Sequence, residues 1–445
     1  MTGPDPATDW WRRAAPRPAF EAGHTNRRDK ATAGVAFWAL MTFMSILFLA
    51  PQSVVPALAT FRIALLVACV AVIAHFLDRG AAGRPMTLVT REMKIAACLF
   101  GWAIVTIPFS LWPGGSIAVL TDQFFKSVML FWLIANTVTT VWRFQQFTWG
   151  LALLSVPIAA SAFMSYLSGT FVPGSGRIAG YDAPLTGNPN DLALTLNLII
   201  PFILALLRFA RGLFFRAALL AILVLNVTAV VITFSRAGFI TLAVILTITA
   251  TRLLRSPQRA WGIALLAVLP LCLPILPASY WHRITTITDI ESDETGSAQA
   301  RRENSLGALQ FLVTHPVVGA GIGSDVLALN AQVGSNWTVV HNVYLQYGVD
   351  LGLPGLGFFL ALFATCLASA SAARRPGGRG RDARIVAHLA QATWLSLVAF
   401  GSAALFYPVA YHAYFYYLAG LAIACRMFLG QRTRSETVSA AVHSK

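Results

Sequence analysis

The sequence predicts an all-α integral membrane protein, a polytopic bundle of about 12 transmembrane helices with one large loop between the ninth and tenth. Three observations carry this. Of the 445 residues, 57% are hydrophobic and 11% charged, against about 25% charged in a typical soluble domain. The apolar residues fall in serial runs of about 20, the length that spans a bilayer. Lysine and arginine collect in every second connection between those runs, as the positive-inside rule requires.

The runs lie near 33–50, 54–77, 95–111, 122–140, 146–168, 190–207, 217–234, 238–252, 261–278, 343–372, 386–406 and 409–427. They divide the chain into a basic tail at 1–32, nine spans within 33–278, a loop with short helices at 279–342, three spans within 343–427 and a tail at 428–445. The basic region before the first run, with Arg12, Arg13, Arg17, Arg27, Arg28 and Lys30, is too long for an ordinary signal peptide, so that run is expected to stay as a helix.

Placing the tail in the cytoplasm puts 26 of the 33 cations on that side and both termini with them. The formal net charge of +15 does not point to nucleic acid, because the cations are scattered between apolar runs and not gathered on one face. The five cysteines, Cys69, Cys98, Cys272, Cys366 and Cys425, all sit in apolar runs without the paired spacing of a zinc site or a disulfide framework.

Seven cations oppose the topological bias: Arg62, Lys126, Arg177, Arg236, Arg283, Arg301 and Arg302. A charge against apolar surroundings costs about 2.5–3.5 kcal/mol at mid-span, which an anionic ligand would offset. Only two connections on that face are long, 169–190 and 279–342, and binding residues concentrate in such loops. The larger loop is expected to hold a helix over 297–313, with Ser297 as N-cap, Leu306, Leu309 and Val313 at helical spacing, and Arg302 on the same stripe.

Arg236 lies in Ser235-Arg236-Ala237-Gly238 at the outer end of the seventh span, where it either binds a ligand or snorkels to the interface. His341, at the start of the tenth span, is either a general base or a helix cap. Arg301 and Arg302 offer planar forks suited to phosphate oxygens. The glycines of His315-Pro316-Val317-Val318-Gly319-Ala320-Gly321-Ile322-Gly323 follow a helix and a proline, not a strand, so they make no dinucleotide fingerprint. In the shorter loop Arg177 and Tyr181 precede Gly187-Asn188-Pro189-Asn190, where Asn188 can cap a helix beginning at Pro189. The run Asp289, Glu291, Asp293, Glu294 lacks the glycine and distal glutamate of a calcium loop, so no metal site is expected.

Taken together, Gly187-Asn188-Pro189-Asn190, Ser235-Arg236-Ala237-Gly238, Arg301, His315-Pro316, Gly319-x-Gly321 and His341-Asn342-x-Tyr344-Leu345 resemble the bacterial O-antigen ligase and polymerase family over roughly residues 180–350. The resemblance implies an inner-membrane glycosyltransferase that moves a glycan from an undecaprenyl-pyrophosphate carrier to an acceptor hydroxyl on the periplasmic side. In ligases that acceptor is a sugar of the lipid A core. It further implies that Arg236 and Arg301 bind the donor pyrophosphate, with Arg302 kept because the register is uncertain by one residue, and that His341 is the general base. Arg177 joins them as a further expected pyrophosphate contact. Fixed arginines can stabilise a pyrophosphate leaving group without a metal or cofactor, and a hydroxyl activated by His341 predicts a single inverting displacement. Partners are then the lipid-linked donor, the lipid A core and membrane lipids. An O-antigen polymerase, a transporter or flippase for lipid-linked glycan, and a non-catalytic envelope subunit are the alternatives.

Overall fold

The computed structural model describes residues 27–443, apart from 174–175, 182, 184, 258, 264–265, 267–296, 335–336 and 376–379. Its principal helices are α1 (Arg27–Leu49), α2 (Ile63–Ala81), α3 (Arg91–Thr106), α4 (Pro113–Thr137), α5 (Val141–Leu167), α6 (Pro189–Phe209) and α7 (Leu213–Ile232). There follow α8 (Arg236–Leu254), α9 (Ser297–Thr314), α10 (Asp325–Val333), α11 (Val343–Ala373), α12 (Arg381–Ala403) and α13 (Ala413–His443). Among the described residues no strand forms, and the only β pairing is an isolated bridge between Val172 and Arg177.

Ten of these helices are long and apolar enough to cross a membrane: all except α1, α9 and α10. The apolar part of α1, Gly34–Leu49, is shorter and coincides with the first expected span. Most of the expected ninth span, 261–278, lies outside the described residues, as do the 289–294 acidic run and Arg283. The fold is thus the multi-pass helical bundle that the hydropathy required.

α6 is the most enclosed of the spans before the large loop, packed against α5, α7, α8 and α12. α11 packs on α3, α12 and α13, and carries α9 against its first half. One end of the bundle therefore bears residues 168–188, the helices α9 and α10, and the starts of α6, α8 and α11.

α11 is broken. Gly352 adopts φ 66° and ψ −172°, two residues before Pro354. A break inside a span strands backbone groups where water is scarce, so protein must satisfy them. Here the glycine-rich turn after α9 does so. The backbone N–H groups of Ala320 and Gly321 donate to the carbonyls of Val349 and Asp350 at 2.7 and 2.8 Å, and Leu353 N–H donates to Pro316 at 2.7 Å. Trp102 Nε1–H takes the Leu351 carbonyl at 2.8 Å, and Asp350 Oδ2 accepts from Gly323 N–H at 3.0 Å. Gly319 and Gly352 are needed for this approach: a Cβ on the first would stand 2.5 Å from the Val349 carbonyl oxygen, and one on the second 2.2 Å from that of Val317.

The helix expected over 297–313 is α9, but its contact face differs. Leu306, Leu309 and Val313 are 52%, 46% and 79% exposed, whereas Ala308 and Phe311 pack into a small core with Val340 and Val349. The expected stripe and the buried one are both helically spaced, and the docking of α9 on α10 and α11 decides which of them is covered. Arg302 shares the exposed face.

Candidate functional site

The site is assembled from four chain segments that meet at the loop-bearing end. The first is the start of α6. Asn188 caps it, its Oδ1 accepting from the N–H groups of Asn190 and Asp191 at 2.9 Å each, with Pro189 as first helical residue. Asn188 Nδ2 also donates to Asp191 Oδ2. Because the cap holds the backbone, the side chain of Asn190 is available to its neighbours. Its Oδ1 accepts from Arg177 Nη2 at 2.6 Å and from Ser235 Oγ at 2.7 Å. Arg177 is half-buried on the loop that its own carbonyl ties down, through Val172 N–H at 2.7 Å.

The second segment is the start of α8, where each residue of Ser235-Arg236-Ala237-Gly238 has a distinct place. Ser235 caps the helix, its Oγ accepting from Gly238 N–H at 3.1 Å. Gly238 lets α8 approach α6, since a Cβ there would stand 2.5 Å from that of Ala193, and its carbonyl accepts from Asn197 Nδ2 at 2.9 Å. Arg236, half-buried at the first helical position, performs neither task. Phe234 before the cap is a buried non-glycine residue at φ 54°, a backbone state that costs of order 1–3 kcal/mol and clusters at functional sites. The starts of α6 and α8 both present partial positive charge here.

The third segment is Tyr407, wholly buried in the connection between α12 and α13. Its phenol lies beside Ser235, in the field of Asp191, Arg177 and Arg301, and burial pushes its pKa well above the usual tyrosine range. Arg301, on α9, thus belongs to the same cluster as Arg177.

The fourth is the strap before α11. Asn342 caps that helix, its Oδ1 accepting from Tyr344 N–H at 2.9 Å and Leu345 N–H at 3.1 Å. His341 is therefore not the cap. The strap is held from two sides: Asp325 Oδ2 accepts from Val340 N–H at 2.8 Å, and Asn304 Nδ2 donates to Thr338 Oγ1 at 2.7 Å. His341 Nδ1 sits 3.0 Å from the Val339 carbonyl. A proton on Nδ1 makes this a hydrogen bond and leaves Nε2 as an acceptor. Burial, and then the nearby Arg301 guanidinium, hold the imidazole below its usual pKa, so it stays neutral.

Of the expected site residues, Arg177, Arg301 and His341 are brought into one electrostatic neighbourhood, and Arg236 directly follows Ser235, whose hydroxyl bonds Asn190. Arg302 points outward on the exposed face of α9. Asn190, Tyr407 and Asp325 were not assigned roles from sequence. Asn190 stood inside a quoted motif, but Tyr407 and Asp325 had no local signal, because their partners are far away in the chain. Chemically, clustered guanidiniums beside two helix N-termini suit a polyanion, and a neutral imidazole beside them can take a proton.

No protein of curated function matches the chain. Residues 219–360 match the family model described as O-antigen ligase. That region, about a third of the chain, includes Arg236, Arg301, Arg302 and His341 and leaves out Arg177, and over it the chain is similar to the O-antigen ligase family.

Proposed function

We propose that the protein is a metal-independent, inverting glycosyltransferase that moves an O-antigen glycan from undecaprenyl pyrophosphate to a hydroxyl of a lipid A core sugar, on the periplasmic face of the inner membrane. The observation that carries this reading is the closeness of His341 to Arg301, whose charge, like that of Arg177, also reaches Tyr407. Arg177, Arg236 and Arg301 bind the pyrophosphate and stabilise the charge it develops as the glycosidic bond breaks. His341 Nε2 accepts the proton of the acceptor hydroxyl as its oxygen attacks the anomeric carbon from the opposite side, and the undecaprenyl pyrophosphate leaves. Of the two adjacent arginines the half-buried Arg301 is the donor contact in preference to the exposed Arg302.

The test is transfer by purified protein in detergent, given lipid-linked glycan and lipid A core, with the anomeric configuration of the product determined and a chelator arm included. Product formed in chelator with inverted configuration is the expected result. Elongation of one lipid-linked glycan by another, with no use of lipid A core, assigns a polymerase instead. Translocation of labelled donor without any product assigns a transporter.

A further inference from the structure

A cavity of about 420 Å³ opens between α6, α8 and α12, near Arg208, Arg252 and His388. It lies at the far end of these helices from the candidate site: α6 and α8 begin beside Asn190 and Arg236 and reach the cavity in their last turns. Its size falls within the range of small-molecule sites. Apolar side chains, among them Leu204 and Leu395, form most of the wall, and among the described residues no carboxylate lines it.

The polar groups converge at one side. Arg208 and Arg252 line the cavity together with His388 and Gln391. The field of Arg208 and Arg384 falls on His388. Arg252 and Arg374 both lie at the ring of Trp394, at 5.8 and 4.0 Å from its centroid, so two like charges meet at one aromatic side chain. Gln391 Oε1 is buried without a hydrogen-bond donor. Two guanidiniums line one apolar cavity and a third, Arg374, lies at the same ring as Arg252, so the local potential favours an anion.

We propose that this cavity binds the phosphodiester headgroup of an anionic phospholipid, with the head among Arg208, Arg252 and Gln391 and part of an acyl chain against Leu204 and Leu395. The arginines alone would serve any phosphate. The apolar wall selects a lipid, because a free phosphate leaves that surface in contact with water or empty. The end of the bundle fits: the expected cytoplasmic connections supply its cations, and juxtamembrane arginines are drawn to anionic headgroups.

The experiment measures lipid retention by the full-length protein in nanodiscs of phosphatidylcholine with one fifth phosphatidylglycerol, and in phosphatidylcholine alone with millimolar inorganic phosphate. The variants are Arg208→Gln, Arg252→Gln, their combination, and Leu204→Trp, which fills the cavity and leaves the arginines. Elution as a single species with wild-type helical content verifies folding of each. Wild-type protein is expected to retain phosphatidylglycerol over phosphatidylcholine, with affinity falling roughly 5-fold for each arginine removed. Leu204→Trp should also lose retention. Equal retention by the double variant overturns the proposal. So does undiminished retention by Leu204→Trp, which makes the effect a surface attraction, or protection by inorganic phosphate equal to that by the lipid, which makes the ligand a free anion.

Discussion

Arg177 reaches Asn190 across the start of α6, its Nη2 donating to Asn190 Oδ1 at 2.6 Å. The acceptor oxygen also takes Ser235 Oγ, at 2.7 Å, so one amide aligns the loop arginine with the N-terminus of α8. Truncating Asn190 removes the common acceptor and leaves the cap of α6 on Asn188 intact.

Asn190→Ala is therefore expected to lower transfer by about 10–100-fold, the equivalent of roughly 1.5–3 kcal/mol for a hydrogen bond to a charged group. Initial rates at varied donor concentration check this. A variant with wild-type rates would return Arg177 to a purely structural place in the loop.

The second prediction concerns the break in α11. Gly352→Ala puts a Cβ at φ 66° and 2.2 Å from the Val317 carbonyl oxygen, and Gly321→Ala puts one 2.1 Å from Ser110 Oγ. Each should lower stability by about 1–3 kcal/mol for the backbone conformation alone, and by more for the overlap. Thermal unfolding in detergent is the measurement, with the exposed Val313→Ala as a near-neutral reference.

Those glycines show where sequence reading stopped. The spans were legible because an apolar run of about 20 residues needs no partner to be recognised, and Asn188 before Pro189 announced its helix by itself. The fold around Gly319 and Gly321 was not, since Gly319 approaches the backbone of Val349 and Asp350, about 30 residues on, and Gly321 approaches Ser110, about 210 residues before it. Likewise, helical spacing picked out Leu306, Leu309 and Val313, but only the packing of Phe311 on its neighbours decides which face is covered. The same docking turns Arg301 inward and Arg302 outward, a choice that adjacent residues cannot reveal in one dimension.

A third prediction lies in the spans. Glu92 is wholly buried at the start of α3, where its Oε1 accepts from Ser369 Oγ at 2.7 Å and from Arg426 Nη1 at 3.0 Å. Arg426→Met leaves that carboxylate with Ser369 Oγ and, at 3.4 Å, Arg91 Nε as donors and should cost about 1–3 kcal/mol, less than for a fully buried pair because the Arg426 side chain is 45% exposed. Glu92→Gln in addition should recover part of the loss. Unfolding of both single variants and the double variant gives the coupling directly.

The fourth prediction fixes orientation. Glu303 on α9 and Arg381 at the start of α12 are both exposed and lie at opposite ends of the bundle. In a cysteine-free background, Glu303→Cys in spheroplasts should react with an impermeant thiol reagent, and Arg381→Cys should react only after lysis. The reverse pattern would move the candidate site to the cytoplasm and end the reading of a periplasmic acceptor.

The last prediction separates proton transfer by His341 from a structural place in the strap. Asn342 supplies the cap of α11, so His341→Ala should unfold at the wild-type temperature and still bind donor. Its turnover should fall by about 10²–10⁴-fold, the usual worth of a general base. His341→Asn should be equally inactive, because a second amide beside the cap adds nothing to catalysis. The pH profile then tests the electrostatics. Burial and Arg301 hold His341 below 6.5, so the base form persists as pH falls through 6.5, and kcat/KM should decline only at lower pH. Arg301→Gln removes the nearby positive charge and should raise that acidic limb toward 6.5 while also lowering the maximum. An acidic limb that stays in place in Arg301→Gln, or an active His341→Asn enzyme, would assign the proton acceptor to another group.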